Sequence, residues 1–374
     1  MNKKQSKGEI TREQFLDLAI QEIAHKGTAN LSAVSLVKDS NLTRSTFYSY
    51  FGDLDGLLAD LWIERGVTWL ERMVSKDKSF NFDEIFIRSL AEVFLLAHRN
   101  SQIREVVRFT LKRFLAKFES EPAAEAIAMW RLANRLGIVA TKAVWFEVLE
   151  GAFLDDYLDS IEGKIKKLNK TEVPDLPEIE LEVEDESEKE ILLGVIQIIA
   201  SSGLKGFSIL RLGRLLRVTS GYLNPRIYNQ NELIGTAYKI AQTSAAKQNL
   251  ALWASLKLRP EGFARFIVGS VGNSRQSWRW FRSEVMIAAT HDVELAKHVS
   301  PSMTLMIDAL QQRTAKLGFP KQLIRRVAIL VHTLLFGFTA LQAAGLEVKN
   351  LSHEGLIRAL LAEVAKRFVR FSPK

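Results

Sequence analysis

The chain has 374 residues, no cysteine and a formal charge of +8 at pH 7, with 47% hydrophobic and 25% charged residues. These proportions exclude a disordered chain, and the missing thiols exclude disulfides, thiolate nucleophiles and thiolate metal sites. The length suits two domains with sizeable cores.

Eight prolines and few alternating β-branched runs, against long stretches with apolar residues three and four apart, predict an all-α fold. No apolar run is expected to reach the roughly 18–20 residues of a spanning helix, and the start MNKKQSKGEITREQ lacks the apolar stretch of a signal peptide. No membrane partner and a cytoplasmic location are therefore expected. Charge is unevenly spread: residues 1–170 carry 25 basic and 24 acidic side chains, residues 171–190 carry 1 and 10, and residues 191–374 carry 25 and 9. The basic second half suits either polyanion binding or plain solubility, and says nothing about sequence reading.

In chain order, Thr11-x-x-Gln14 has the pattern of a capping box that opens a first helix over about 11–26, with Gly27 as its stop. Ser32 caps a short second helix ending near Asp39. Ser40-Asn41-Leu42 makes a tight turn, with Asn41 placed where a left-handed backbone is wanted. Thr43 then caps a third helix, TRSTFYSYF. On it Phe47, Tyr50 and Phe51 share the inward side, while Ser45, Tyr48 and Ser49 point outward, flanked by Arg44 and Thr46. A short helix, a tight turn and a third helix with Arg, Ser, Thr and Tyr on its outer face make the helix-turn-helix architecture that enters a major groove.

The stretch Leu42 to Asp53, LTRSTFYSYFGD, followed by Leu57-Leu58, resembles the N-terminal signature of the TetR family of transcriptional regulators. The resemblance is clear over about 11–65, weak over 187–238, and elsewhere rests only on the arrangement of helices. It implies a sequence-specific regulator of double-stranded operator DNA, a repressor released or modulated by a small hydrophobic effector, with no cofactor. The candidate DNA-binding residues are Ser32, Thr43, Arg44, Ser45, Thr46, Tyr48, Ser49 and Tyr50. Thr43 matches a capping position that also touches phosphate, Tyr48 the tyrosine on the DNA backbone, and Tyr50 a position near phosphate. Arg44 can donate two bonds to guanine, worth about 1–3 kcal/mol of discrimination, or bind phosphate; both roles stay open. The family's lysine after the Phe-Gly-Asp turn is Leu54 here, and Lys3, Lys4 and Lys7 are the candidates to replace its phosphate contact.

Residues 170–186, with prolines and many carboxylates, suit a linker without apolar area for a core; a short exposed strand through Ile179, Leu181 and Val183 is the alternative. Around it the chain repeats at an offset of 176: Thr11-x-x-Gln14 falls on Ser187-x-x-Glu190, Gly27 on Gly203, Ser32 on Ser208, Phe47 on Leu223 and Leu57 on Leu233. A tandem duplication follows, organised as a head (1–65), a helical core (66–169), the acidic linker, a degenerate second head (187–245) and a second core (246–374). Pro225 interrupts the second recognition helix, Asn224 replaces Tyr48, and Arg217 stands where Asn41 does. Arg211, Arg214 and Arg226 keep backbone-only DNA contact open there.

The aromatic-rich helices over 83–161 and 260–368 suit packed cores, and the resemblance implies an effector cavity whose residues the sequence does not name. The segments 144–153 and 330–338 look like the family's subunit-pairing helix. They predict either pairing within one chain, as a pseudo-dimer, or a homodimer. His25, His98, His291, His298, His332 and His353 offer no metal-ligand spacing, and no nucleophile elbow or phosphate loop appears, so no enzyme is expected. A helical adaptor or ligand-binding protein that has lost specific DNA reading is the competing function.

Overall fold

A computed structural model describes residues 6–38, 40–165, 176–224, 227, 229–255, 260–314, 320–348 and 353–371. The fold is all-α, with no strand among the described residues. The first series of helices is α1 (Lys7–Lys26), α2 (Ala33–Val37), α3 (Arg44–Phe51), α4 (Leu54–Val74), α5 (Ile85–Leu95), α6 (Ser101–Leu115), α7 (Pro122–Thr141) and α8 (Leu154–Ile161). The second is α9 (Glu186–Ser202), α10 (Ile209–Leu216), α11 (Ser220–Leu223), α12 (Gln230–Ser255), α13 (Pro260–Ser270), α14 (Gln276–His291), α15 (Val293–Thr314), α16 (Lys321–Ala343) and α17 (His353–Phe371).

The same signals end and start helices in both series. Gly27 and Gly203 stop α1 and α9 at φ 77° and 72°, a backbone conformation that favours glycine. Ser32 and Ser208 cap α2 and α10. Asn100 and Asp292, 192 residues apart, cap α6 and α15 by accepting from the amides of Ile103 and Leu295 at 3.0 Å. The spacing grows from 176 to 192 between head and core, and α13, which the first series lacks, lies in that interval.

Several sequence expectations are corrected. α1 starts at Lys7 because Ser6 and Glu9 form the capping box, so Thr11 lies inside the helix with its hydroxyl on the Lys7 carbonyl. α9 is capped by Asp185, which takes the amides of both Ser187 and Glu188, and not by Ser187. Asn41 is not left-handed; among the described residues the non-glycine residue with positive φ is Arg217, at 57°. The described part of the acidic stretch is neither a free linker nor a strand: Leu176, Ile179 and Leu181 are buried. Its backbone is held by Gly269, Ser244, Gln248 and Arg275. The apolar residues between its glutamates supply the packing area that the charge count hid.

The two series meet chiefly where α7 crosses α16, and the segment 144–153, which is 3-10 helix over Phe146–Phe153, also packs on α16, with Trp145 edge-on to His332 at 5.3 Å. Gly137 lies against the backbone of Thr333 and Gly337 against that of Ala133, so the contact is reciprocal. Thr333 Oγ1 donates to Asn134 Oδ1 at 2.6 Å in the middle of it, and Asn134 Nδ2 donates to the Gly151 carbonyl at 3.0 Å. α16 is itself long and apolar enough to cross a membrane by length and composition, which corrects the expectation that no such run exists; 72% of its apolar window is buried inside the protein. α8 packs on α17 beside the crossing.

α7 also anchors the first connector. Arg131 donates to the Val74 carbonyl at 3.1 Å and Arg135 to the Arg72 carbonyl at 3.1 Å, placing two cations on the C-terminal end of α4, where free carbonyls concentrate negative charge. Both arginines are neutralised by Asp155 of α8, and Arg131 also by Asp159.

A methyl added at Gly337 would be driven into the Ala133 carbonyl, on a backbone that cannot swing aside. Gly337→Ala is expected to cost about 1–3 kcal/mol of stability by chemical denaturation, whereas Gly221→Ala, whose methyl meets nothing closer than 3.7 Å, is expected to be neutral. Equal stabilities would contradict the crossing.

Burial pushes His332 down to about 3 and His353 down to about 4. Both rings are neutral in the fold, and the unfolded chain takes up their protons below its ordinary histidine value of about 6.5. Their contribution is full above that pH and is lost as pH falls toward the folded values. Between pH 7 and pH 5 the loss is about 2 kcal/mol per ring. Denaturation midpoints at the two pH values check it: His353→Leu should shrink the drop, and a wild-type stability unchanged over this range would contradict it.

Candidate nucleic-acid interface

The first head is built on one aromatic cluster. Phe15 of α1 meets Phe47 and Phe51 of α3 edge-on, each at 5.7 Å, and all three are buried. Leu16, Ile20, Leu36 and Leu57 close the core around them. Across its surface Arg12 of α1 pairs with Asp60 and Glu64 of α4 at 2.9 Å, and Arg65 with Glu13, locking α1 to α4.

On that base α3 is held with its outer face in solvent. Thr43 caps it, accepting from the Thr46 amide at 3.1 Å, and the two threonine hydroxyls lie 2.8 Å apart. Ser49 Oγ donates back to the Thr46 carbonyl at 2.7 Å, so it is oriented by its own helix. Arg44, Ser45, Tyr48 and Ser49 are exposed, with Tyr48 at 54% and its ring edge-on to Phe47 at 5.2 Å. Tyr50, expected inward, is instead 38% exposed, and its hydroxyl lies against the backbone of Gly8 in the first turn of α1. A phenol cannot enter a core already filled by three phenylalanines without an acceptor for its hydroxyl. The start of α1 thus lies beside the last turn of α3. The exposed Lys7 opens α1 on that side; Lys3 and Lys4 lie outside the described residues.

Ser32 sits apart from this face in its role, half-buried and sharing a capping box with Ser35. Leu54 packs against the head core and supplies no cation.

The second head differs at the helix that matters. α11 spans four residues where α3 spans eight, and it follows the left-handed Arg217. Pro225 and Arg226 lie outside the described residues. Arg211 and Arg214 are exposed on α10, with Arg211 Nη1 donating to the Gly206 carbonyl at 3.1 Å.

Sequence reasoning missed how the heads are gripped. Glu92 of α5 accepts the Thr28 amide at 2.9 Å and meets His291, at the end of α14, at 2.5 Å, with the His291 ring against Gly27. The other head mirrors this. Glu284 of α14 lies against Gly203, accepts from Arg99 at 2.6 Å, and stands 3.1 Å from His98 Nε2. Burial opposes ionisation of Glu284, but His98 and Arg99 outweigh it and hold its carboxyl below the usual range. Each glycine turn is therefore clamped between a carboxylate of its own core and a basic side chain of the other. Such pairs are far apart in sequence, and no local pattern announces them.

Compared with known proteins, the chain matches no family model and none of the curated proteins.

Glu92→Ala leaves the half-buried Thr28 amide without its acceptor. Hydrogen exchange at residues 28–31 is expected to speed up by about tenfold, the effect of losing one such bond, with residues 204–207 unchanged. Unchanged exchange at 28–31 would show that the clamp does not hold the head.

Proposed function

We propose that this chain is a sequence-specific DNA-binding transcriptional regulator of TetR-like design, arisen by tandem duplication, with one reading head. The observation that carries the reading is α3, an eight-residue helix capped by Thr43, seated on Phe15 and turning Arg44, Ser45, Tyr48 and Ser49 outward, with Tyr50 of its last turn beside the start of α1. That geometry suits a major groove, with Arg44 over base edges and Thr43, Tyr48 and Tyr50 toward phosphate.

The reciprocal α7–α16 contact supports pairing within one chain, so that the operator need not be a palindrome. With a four-residue α11, the second head contributes phosphate contacts through Arg211 and Arg214 without reading bases. Regulation is repression relieved by a small, largely apolar effector in the helical body, acting in the cytoplasm. Reading units must meet successive grooves roughly 34–36 Å apart, so a shift of a few ångströms in the clamped heads is enough to break joint binding. An effector does this only by favouring one arrangement.

The test is operator binding at fixed salt, on DNA selected from random sequence by the protein. Arg44→Ala is expected to lose about 1–3 kcal/mol of discrimination at one base pair. Tyr48→Phe is expected to weaken binding evenly across sequences. Selected and random DNA bound equally by the wild type, or both variants binding as the wild type does, would overturn the assignment and favour a helical adaptor.

A further inference from the structure

The second helical core holds a partly open cavity of about 70 Å³, bounded by α12, α13, α14, α15 and α16. Its walls are mostly apolar, with Leu250, Phe266, Trp278, Leu310 and Leu335, and the uncharged polar side chains of Gln242 and Asn249 also line it. Into this apolar space comes the guanidinium of Arg282, on α14. The side chain is buried, and neither its Nε nor its Nη2 has a hydrogen-bond partner. No carboxylate of the described residues pairs with it; it lies 5.5 Å from the Phe336 ring centre. His332, beside it in the lining, has both ring nitrogens buried and unpaired.

The other buried arginines behave differently. Arg131 and Arg135 share Asp155, Arg275 donates to Asn249 and the Pro177 carbonyl, and Arg279 to Gln342 and the Gly272 carbonyl. A buried cation without an anion is expensive, and folds pair or neutralise such charges. In the first core Trp62, Trp69 and Phe94 pack ring to ring at 5.5–5.6 Å.

We infer that this cavity is the binding site of a small apolar carboxylic acid, held as its carboxylate by Arg282 with His332 alongside and its hydrocarbon body against Trp278, Phe266 and Leu335. A guanidinium fork matches a carboxylate with two parallel bonds. One buried positive charge suits a monoanion; a phosphate dianion would leave an uncompensated charge. The cavity takes on the order of five water-sized groups, which limits the acid to a short aliphatic chain or a single ring.

The same helix carries the groups that clamp both heads. Arg282 is two residues from Glu284, which holds the Gly203 turn, and α14 ends at His291, which meets Glu92 and the Gly27 turn. Anion binding at Arg282 therefore acts on the element that positions both heads. The role of the acid as effector rests on the regulatory reading above; its binding does not.

Calorimetric titration of the full chain with benzoate and hexanoate, and with benzamide and hexanamide as neutral counterparts, tests the site without DNA. The acids are expected to bind at least about tenfold more tightly than the amides, a difference that comes from the charge-assisted pair. Arg282→Met should abolish that preference, keep amide binding, and raise the thermal midpoint by removing the unpaired cation. Ala246→Phe, which fills the cavity and keeps the arginine, should abolish binding of all four and decides the matter if the first variant does not fold. Equal binding of acids and amides, no binding of any probe at millimolar concentration, or an acid preference that survives both substitutions would overturn the site. Acid binding that leaves affinity for selected DNA unchanged would keep the site and remove its role as the effector site.

Discussion

Two helix backbones can approach this closely only where a side chain is missing from each, and α7 and α16 meet that condition reciprocally at Gly137 and Gly337. The buried Asn134–Thr333 hydrogen bond at 2.6 Å then fixes the register of the crossing, since sliding either helix would strand two polar groups in an apolar core. Much else depends on this contact. It brings α14 alongside the first core, and so puts His291 within reach of Glu92 and Glu284 within reach of Arg99. Through Arg131 and Arg135 it also fixes the end of α4, the helix that carries the first head.

The two series of helices differ in what their heads and cores contain. The first has a full-length α3 and a core filled by stacked tryptophan and phenylalanine rings. The second has a four-residue α11 and a core with a cavity and an unpaired cation. A cavity that holds an unpaired buried cation is a place where a ligand changes the energy of the fold. Under the proposed function, reading and sensing are thereby divided between the halves, and α14 is the shared part that couples them.

What was legible in the sequence was local. Ser32 and Thr43 cap helices because the hydroxyl reaches an amide three residues on, and Gly27 and Gly203 stop helices because of their own backbone freedom. Phe47 and Phe51 followed from helical spacing alone. Where two local signals competed, pattern was not enough: Ser6 with Glu9 displaced Thr11 with Gln14, and Asp185 displaced Ser187. Asn41 is not left-handed whereas Arg217, at the matching position, is, because tertiary packing sets the turn and a residue type only biases it. Leu176, Ile179 and Leu181 were masked by the carboxylates around them. The Glu92–His291 and Asn134–Thr333 pairs join residues 199 apart, and Arg282 stands out only once its surroundings are known to hold no anion. Such features exist only in three dimensions.

The claim on which the functional reading turns is that one chain supplies both halves of a dimer-like body. Sedimentation equilibrium of the full-length protein, free and on a duplex carrying its selected site, measures this directly. Pairing of α7 with α16 inside the chain predicts one chain in the free protein and one per duplex, protecting a site without twofold symmetry. Two chains on a palindromic site, with the free protein already a dimer, would contradict it.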